Sequence, residues 1–403
     1  MDAIPYAPGD VAWILTACAL VLMMTLPGLA LFYGGMVKRT NVLATLMQSL
    51  GAAGVVTVVW VVAGYSFAFG GGGTDVFGGF DRLLLSGLTL DSLAGDVPEA
   101  AFILFQMTFA IITVAIIAGA AAERLSFKAW MIFTPIWLLF VYAPVAHWVW
   151  GDGFLSDAGV LDFAGGAVVH INSGVAGLIL ALKLGPRRGY PKEGQPPHNL
   201  VLTVIGAGLL WVGWFGFNGG SELGANSAAA HAALVTQVAA ATAALVWALA
   251  EWIQRGKPSV LGAASGAVAG LVGITPAAGF VEPYAAFIIG AAASLAAYFA
   301  VTLLKQKLKY DDSLDAFGLH GIGGFAGAVL TGVFAAEAIG GTPGAVEGNG
   351  LLIWTQTWGA LAVAAWCAIA TFVILWVLER FMALRVDAED EVTGLDVALH
   401  GES

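Results

Sequence analysis

Stretches of about twenty apolar residues recur along this chain from residue 11 to residue 384, with no polar domain between them. A bilayer core about 30 Å thick needs roughly 20 such residues per helix. Inside hydrocarbon every backbone N–H and C=O must be satisfied by the protein itself, so such a chain folds as a bundle of membrane-crossing helices. Eleven spans are expected, at 11–34, 43–70, 99–122, 129–149, 164–184, 200–217, 231–253, 260–276, 284–304, 319–337 and 353–384. The eighth and tenth are short and Gly-rich, which suits packing against protein rather than lipid. Charged residues are 11% and hydrophobic residues 59% of the 403, against about 25% charged in a soluble domain. That is too little charge to cover a soluble fold, which excludes a cytosolic enzyme. The net charge of -11 argues against nucleic acid as a partner. Cys18 and Cys367 lie inside apolar runs and offer no disulfide framework or metal spacing. The N-terminal MDAIPYAPGD has no basic leader of the kind that is cleaved.

Basic residues orient the spans. Lys38 and Arg39 follow the first span, and Arg124 and Lys128 the third. Lys183, Arg187, Arg188 and Lys192 follow the fifth, and Arg255 and Lys257 the seventh. Lys305, Lys307 and Lys309 follow the ninth, and Arg380 and Arg385 the last. Fifteen of the 16 Lys and Arg thus sit in alternate loops, and only Arg82 is opposite. Basic loops stay cytoplasmic, which puts the N-terminus outside and the C-terminus inside. A miscount by one span would scatter this pattern. Asp75, Asp81, Asp91, Asp96 and Glu99 lie in or beside the outer 71–98 loop, with Asp152 and Asp157 in the next. Solubility accounts for them most simply; attraction of cations is the alternative. An odd span count also suits two inverted five-helix repeats, about 11–184 and 200–337, plus a final helix 353–384. The membrane domain is then 1–384 and the cytoplasmic tail 385–403.

Few ionisable groups fall inside the spans. His170, in DFAGGAVVHINSG, and His320, in DAFGLHGIGGFAG, are 150 residues apart, one in the fifth span of each half. A buried imidazole at membrane depth marks a functional site by default. A single one could simply bond a neighbouring helix's carbonyl, but a matched pair favours a shared site between the halves. The surrounding glycines allow the two helices to bring the rings together. Trp148 and Trp150 close the fourth span, and Trp214, Phe215 and Phe217 the sixth, followed by Asn218 and Ser221. Phe105 and Phe109 are four apart, on one helix face. An interfacial aromatic belt would explain any one of these. Aromatic faces beside a hydroxyl acceptor also suit a small cation. Asp162 opens the fifth span as a helix cap, eight residues before His170. Gly262, Gly266, Gly270 and Gly273 form a ladder for close helix contact. By itself the polar tail reads as a disordered end.

These motifs resemble the ammonium transporter (Amt/Mep/Rh) family in its bacterial or archaeal Amt branch. The likeness runs end to end, through PGLALFYGGMV, FQMTFAIITVAIIAGAAAER, AHWVWGDG, DFAGGAVVHINSG, PHNL, GWFGFNGGSE, GKPSVLGAASGAVAGLVGITPAAG, DAFGLHGIGGFAG and GLDVALHGE. The resemblance implies a homotrimer in the cell membrane with one pore per subunit, and no metal or other cofactor. It implies an outer recruitment site of Trp150, Phe109 and Ser221, with Phe109 and Phe217 as a gate and Trp214 beside the path. His170 and His320 would line the pore, while Asp162 and Phe105 would support the mouth. The tail would touch a neighbouring subunit, and a trimeric PII-type nitrogen regulator would bind the inner face. Trp148 departs from the commoner pattern by adding a second indole near the mouth.

The energetics suit such a path. Burying an ammonium ion without water costs up to tens of kcal/mol. Deprotonating a cation of pKa roughly 9–10 at pH 7 costs only about 3–4 kcal/mol. Neutral ammonia is therefore the species expected to cross a dry pore, with the imidazoles as donor, acceptor and proton relay. Potassium has no proton to shed. Three other readings compete. An electroneutral gas channel of the Rh type is disfavoured by Trp150, a Trp that branch usually lacks. An ammonium sensor with little transport is usually fused to a signalling domain. An enzyme using the two histidines as haem ligands lacks any reaction motif.

Overall fold

The computed structural model describes residues 6–402. Residues 1–5, half of the stretch read above as lacking a leader, and Ser403 lie outside the described residues. Among the described residues, ten helices are long and apolar enough to cross a membrane. They are Pro8–Met36, Arg39–Phe69, Glu99–Ala120, Phe127–Asp157, Gly166–Leu184, Leu200–Gly219, Ser227–Arg255, Pro283–Leu308, Phe317–Phe334 and Leu351–Leu378. Val260–Ile274, the eighth expected span, is apolar but only 15 residues long. Its glycines explain how so short a helix is held. A Cβ on Gly270 would fall 2.4 Å from the Ala243 Cβ, and one on Gly273 would fall 2.3 Å from the Ala293 Cβ. The helix is wedged between Ser227–Arg255 and Pro283–Leu308, where only backbone-to-backbone approach fits.

Hydrogen bonds sort the loops into two sets, one at each end of the bundle. At the basic end, buried Arg187 pairs with Glu123 and Asp311, both at 2.9 Å. Arg124 donates to the carbonyls of Gly185 and Asp311, and Glu123 accepts from the Lys38 N–H at 2.6 Å. Burial works to raise the Asp311 carboxyl, but the Arg187 guanidinium outweighs it and holds the group below its ordinary range. At the other end, the Trp13 indole donates to the Gly219 carbonyl, and the His147 ring nitrogens face the carbonyls of Ala68 and Thr74. Arg82, the one basic residue outside the pattern, pairs there with buried Glu99 at 3.2 Å. A short hairpin pairing Leu93–Ala94 with Val97–Pro98 also lies at this end, and periodicity alone does not anticipate it.

Two segments depart from the sequence reading. The last helix stops at Leu378 rather than 384. The Leu384 carbonyl accepts from the Ser126 N–H at 2.9 Å, and Arg385 donates to the carbonyls of Leu184 and Pro186. These contacts pull 379–386 out of the helix and into the basic end. The tail is not a loose end either. Ala388–Thr393 and Leu395–His400 are helical, and Asp396 accepts from the Ala44 N–H at 2.8 Å, so a tail carboxylate caps the helix of 39–69. Asn41 reciprocates by accepting from the Leu395 N–H at 2.8 Å. Gly394, at φ +99, lies against Thr40 where a Cβ would collide. Losing such a cap costs about 1 kcal/mol. Asp396→Ala is therefore expected to expose the tail to limited proteolysis while barely moving the melting temperature of the bundle. An unchanged cleavage rate would show the cap to be dispensable.

Candidate functional site

The two histidines are brought together by matched local structures. Each membrane helix that carries one opens with a π-helical turn, Gly166–Ile171 around His170 and Phe317–Ile322 around His320. Such widened turns recur at functional sites because they shift side chains off the regular helical register. Each turn is capped by an aspartate. The Asp162 carboxylate accepts the N–H groups of Gly165, Gly166, Ala167 and Val168, at 2.5 to 3.1 Å. The Asp312 carboxylate accepts those of Ala316 and Phe317. Burial pushes the Asp312 carboxyl above its ordinary range, partly offset by the Lys305 ammonium. Asp312 stands eight residues before His320, as Asp162 stands eight before His170. The sequence reading singled out only Asp162; the repeated spacing was the signal for the other.

Glycine sets the separation of the two helices. A Cβ on Gly174 would sit 2.3 Å from the Gly321 nitrogen, and one on Gly324 would sit 3.0 Å from the His170 Cβ. The imidazoles meet with Nδ1 to Nδ1 at 3.2 Å, their ring centroids 5.2 Å apart. One Nδ1 must donate and the other accept, so the two neutral rings are opposite tautomers. His170 Nε2 is buried and has no hydrogen-bond partner among the described residues.

A column of rings leads from this pair toward the end of the bundle that carries Arg82 and Glu99. Trp214 lies over His170 at 5.4 Å, and its indole N–H donates to the Thr275 hydroxyl. Phe217 follows at 5.8 Å from His170. Phe217 and Phe109 stack at 4.1 Å and 17°, and both rings are buried. Trp150 meets Phe109 edge-on at 6.0 Å, and its indole donates to the Asp162 carbonyl at 2.8 Å. One residue therefore both caps the His170 turn and fixes the outermost indole.

Beyond the stacked pair lies a cavity of about 200 Å³, lined by Phe102, Gln106, Phe109, Trp150, Phe163, Ser221 and Leu223. The expected trio of Trp150, Phe109 and Ser221 is brought together here. The Ser221 hydroxyl donates to the Phe217 carbonyl at 2.8 Å, so its oxygen still faces the cavity as an acceptor. Phe105 packs behind Phe109 at 4.8 Å and does not line the cavity. Trp148 does not line this cavity. Its indole donates to the Val76 carbonyl and its ring packs on Phe154 and Trp366. Trp150 and Phe102 also wall a larger cavity of about 630 Å³ that carries Asp75, Asp81, Glu99 and Asp152. At the basic end, a cavity of about 530 Å³ is lined by Arg187, Tyr190, Lys305 and Asp315 among others.

Membrane-length helices closed around a buried column of aromatic and imidazole rings define a multi-pass membrane transport protein. The Ammonium Transporter Family profile matches residues 12–403. An ammonium transporter of Aquifex aeolicus (strain VF5) is 51% identical over 398 residues, covering 98% of this chain and 92% of its own. One of Bacillus subtilis (strain 168) is 49% identical, covering 96% of each. The crystal structure of Candida albicans Mep2 superposes with a TM-score of 0.88 at 37% identity, over 96% of this chain and 88% of that one. The chain belongs to the ammonium transporter family.

Proposed function

We propose that the protein takes up ammonium at the outer aromatic pocket, removes its proton there, and conducts ammonia past His170 and His320. The observation that carries this reading is the unbroken order of the parts: cation pocket, stacked Phe109–Phe217 pair at 4.1 Å, then two imidazoles in contact. Aromatic faces and a free hydroxyl oxygen hold a cation. The phenyl pair admits no hydrated ion. The imidazoles supply the donor and acceptor that a neutral amine needs, and they can hand on the released proton. Proton movement alongside ammonia, and hence net charge transfer, is part of the proposal.

The topology belongs to the same proposal: eleven crossings with the N-terminus outside, as two inverted repeats plus a final helix. In its favour are the segregation of basic loops at one end and the paired Asp–His spacing on matching π turns. Residence in the cell membrane, assembly as a homotrimer, tail contact between subunits and a PII-type regulator on the basic face rest on family membership. A likeness to a structure described as a sensor Amt protein, with a TM-score of 0.91 at 28% identity, keeps sensing as the alternative role.

Currents from proteoliposomes on a solid-supported membrane test the reading. Ammonium pulses are expected to evoke sustained current and potassium pulses none. A sensor would give at most a brief binding transient. Trp150→Ala is expected to raise the half-saturating ammonium concentration about tenfold, as loss of a desolvated cation–π contact implies, with a smaller change in maximal current. Unchanged half-saturation would reject the recruitment role.

A further inference from the structure

The outer pocket contains one polar group that the recruitment reading leaves without a task. Gln106 is 8% exposed and lies on the Glu99–Ala120 helix. Together with Phe102 and Phe109, spaced four and three residues away, it forms the helix stripe that faces the cavity. Its Oε1 is buried without a hydrogen-bond partner among the described residues. A buried amide without partners is costly, and this one opens on a cavity of about 200 Å³ beside Trp150 and Ser221. The oxygen and nitrogen of such a group exchange by a simple rotation. With no protein bond to the oxygen among the described residues, the group is free to turn it to an incoming cation.

We propose that the Gln106 carboxamide oxygen is a direct hydrogen-bond ligand of the cation in this pocket. The inference rests on the recruitment reading and deepens it. An aromatic box alone attracts any small cation, potassium included. An acceptor of fixed position favours a cation that carries N–H donors. Once the Gln106 amide has turned, two such oxygens meet in the cavity. Ser221 has already spent its hydrogen on the Phe217 carbonyl and offers only lone pairs, and Gln106 faces the same space. Two N–H groups of an ammonium ion are met by oxygen and the others lie against Phe109 and Trp150. Selection thus begins at the mouth, through donor count, before deprotonation completes it in the pore.

The test uses the full chain in proteoliposomes, with ammonium chloride as the probe and the half-saturating concentration of the current as the readout. Gln106→Met keeps the length of the side chain and removes the acceptor. Losing one hydrogen bond to a charged donor is expected to raise half-saturation about ten- to hundredfold, with maximal current retained. Gln106→Glu restores acceptor oxygens and is expected to stay within about threefold of the parent. Gln106→Leu serves as a second apolar variant should the Met protein not reconstitute. Equal half-saturation in the Met variant and the parent would overturn the proposal. So would equal weakening in the Met and Glu variants, which would mean a packing role. Trp150→Leu, run in parallel, separates the two levels. If it weakens binding and Gln106→Met does not, only the Gln106 inference fails; if neither does, the recruitment reading falls with it.

Discussion

A protein carrying both His170→Ala and His320→Ala is expected to lose its ammonium-evoked current, by at least tenfold. The reason is the polarity of the proposed passage inside the stacked phenyl pair. The imidazoles are the titratable groups within it, and they touch through Nδ1 at 3.2 Å. Removing both leaves alanine in a stretch already walled by Trp214, Phe217 and glycine-rich helix faces. A proton has no carrier there, and a bare cation would face a burial cost of tens of kcal/mol. Uncharged ammonia meets no such barrier. Liposomes loaded with a pH dye should therefore still turn alkaline in an imposed ammonia gradient while the current vanishes. That combination would assign the histidines to proton transfer specifically. A fully intact current in the double variant would end the relay proposal, and loss of both signals would give the histidines a structural or solvating role instead.

Much of this arrangement could be read from the chain, and the boundary of what could be read has a physical basis. Apolar length and loop charge depend on the bilayer, an environment common to every span, so they are legible locally. His170 and His320 stood out because ionisable groups at membrane depth are rare. Residue types marked a wider set of aromatics beside Ser221, and the family resemblance narrowed it to Trp150, Phe109 and Ser221. Which side chains turn into the pocket was not legible. Phe105 and Phe109 share a face by spacing, yet the cavity takes Phe102 and Gln106 in front of Phe109 and leaves Phe105 behind it. Trp148, two residues from Trp150, points to the Val76 carbonyl instead. The π turns at residues 166–171 and 317–322 escape periodicity, because tertiary contact and not sequence period sets where a turn widens. The ordered tail was missed for the same reason. Its stability comes from Asn41, Thr40 and Ala44, some 350 residues away.

Asp162→Ala is expected to lose both transport and stability, and Asp162→Asn to separate the two. One carboxylate here accepts four buried N–H groups at the start of the His170 turn. Each buried donor left without a partner costs about 1–3 kcal/mol, less where water can enter. The alanine variant should therefore be destabilised by on the order of 3 kcal/mol or more, with a lower melting temperature in detergent. The turn would also loosen where it sets both His170 and, through the Asp162 carbonyl, the Trp150 indole. Asparagine retains one acceptor oxygen and the shape of the cap, so about half of that loss should be recovered. It carries no charge. The buried carboxylate, on the residue whose carbonyl holds Trp150, would otherwise favour a cation in the proposed recruitment pocket by electrostatic attraction. If the asparagine protein melts near the parent but conducts poorly, the charge of Asp162 serves the ion and its geometry serves the fold. Current at the parental level in the asparagine protein would reduce Asp162 to a helix cap, the role its position ahead of DFAGG already suggests.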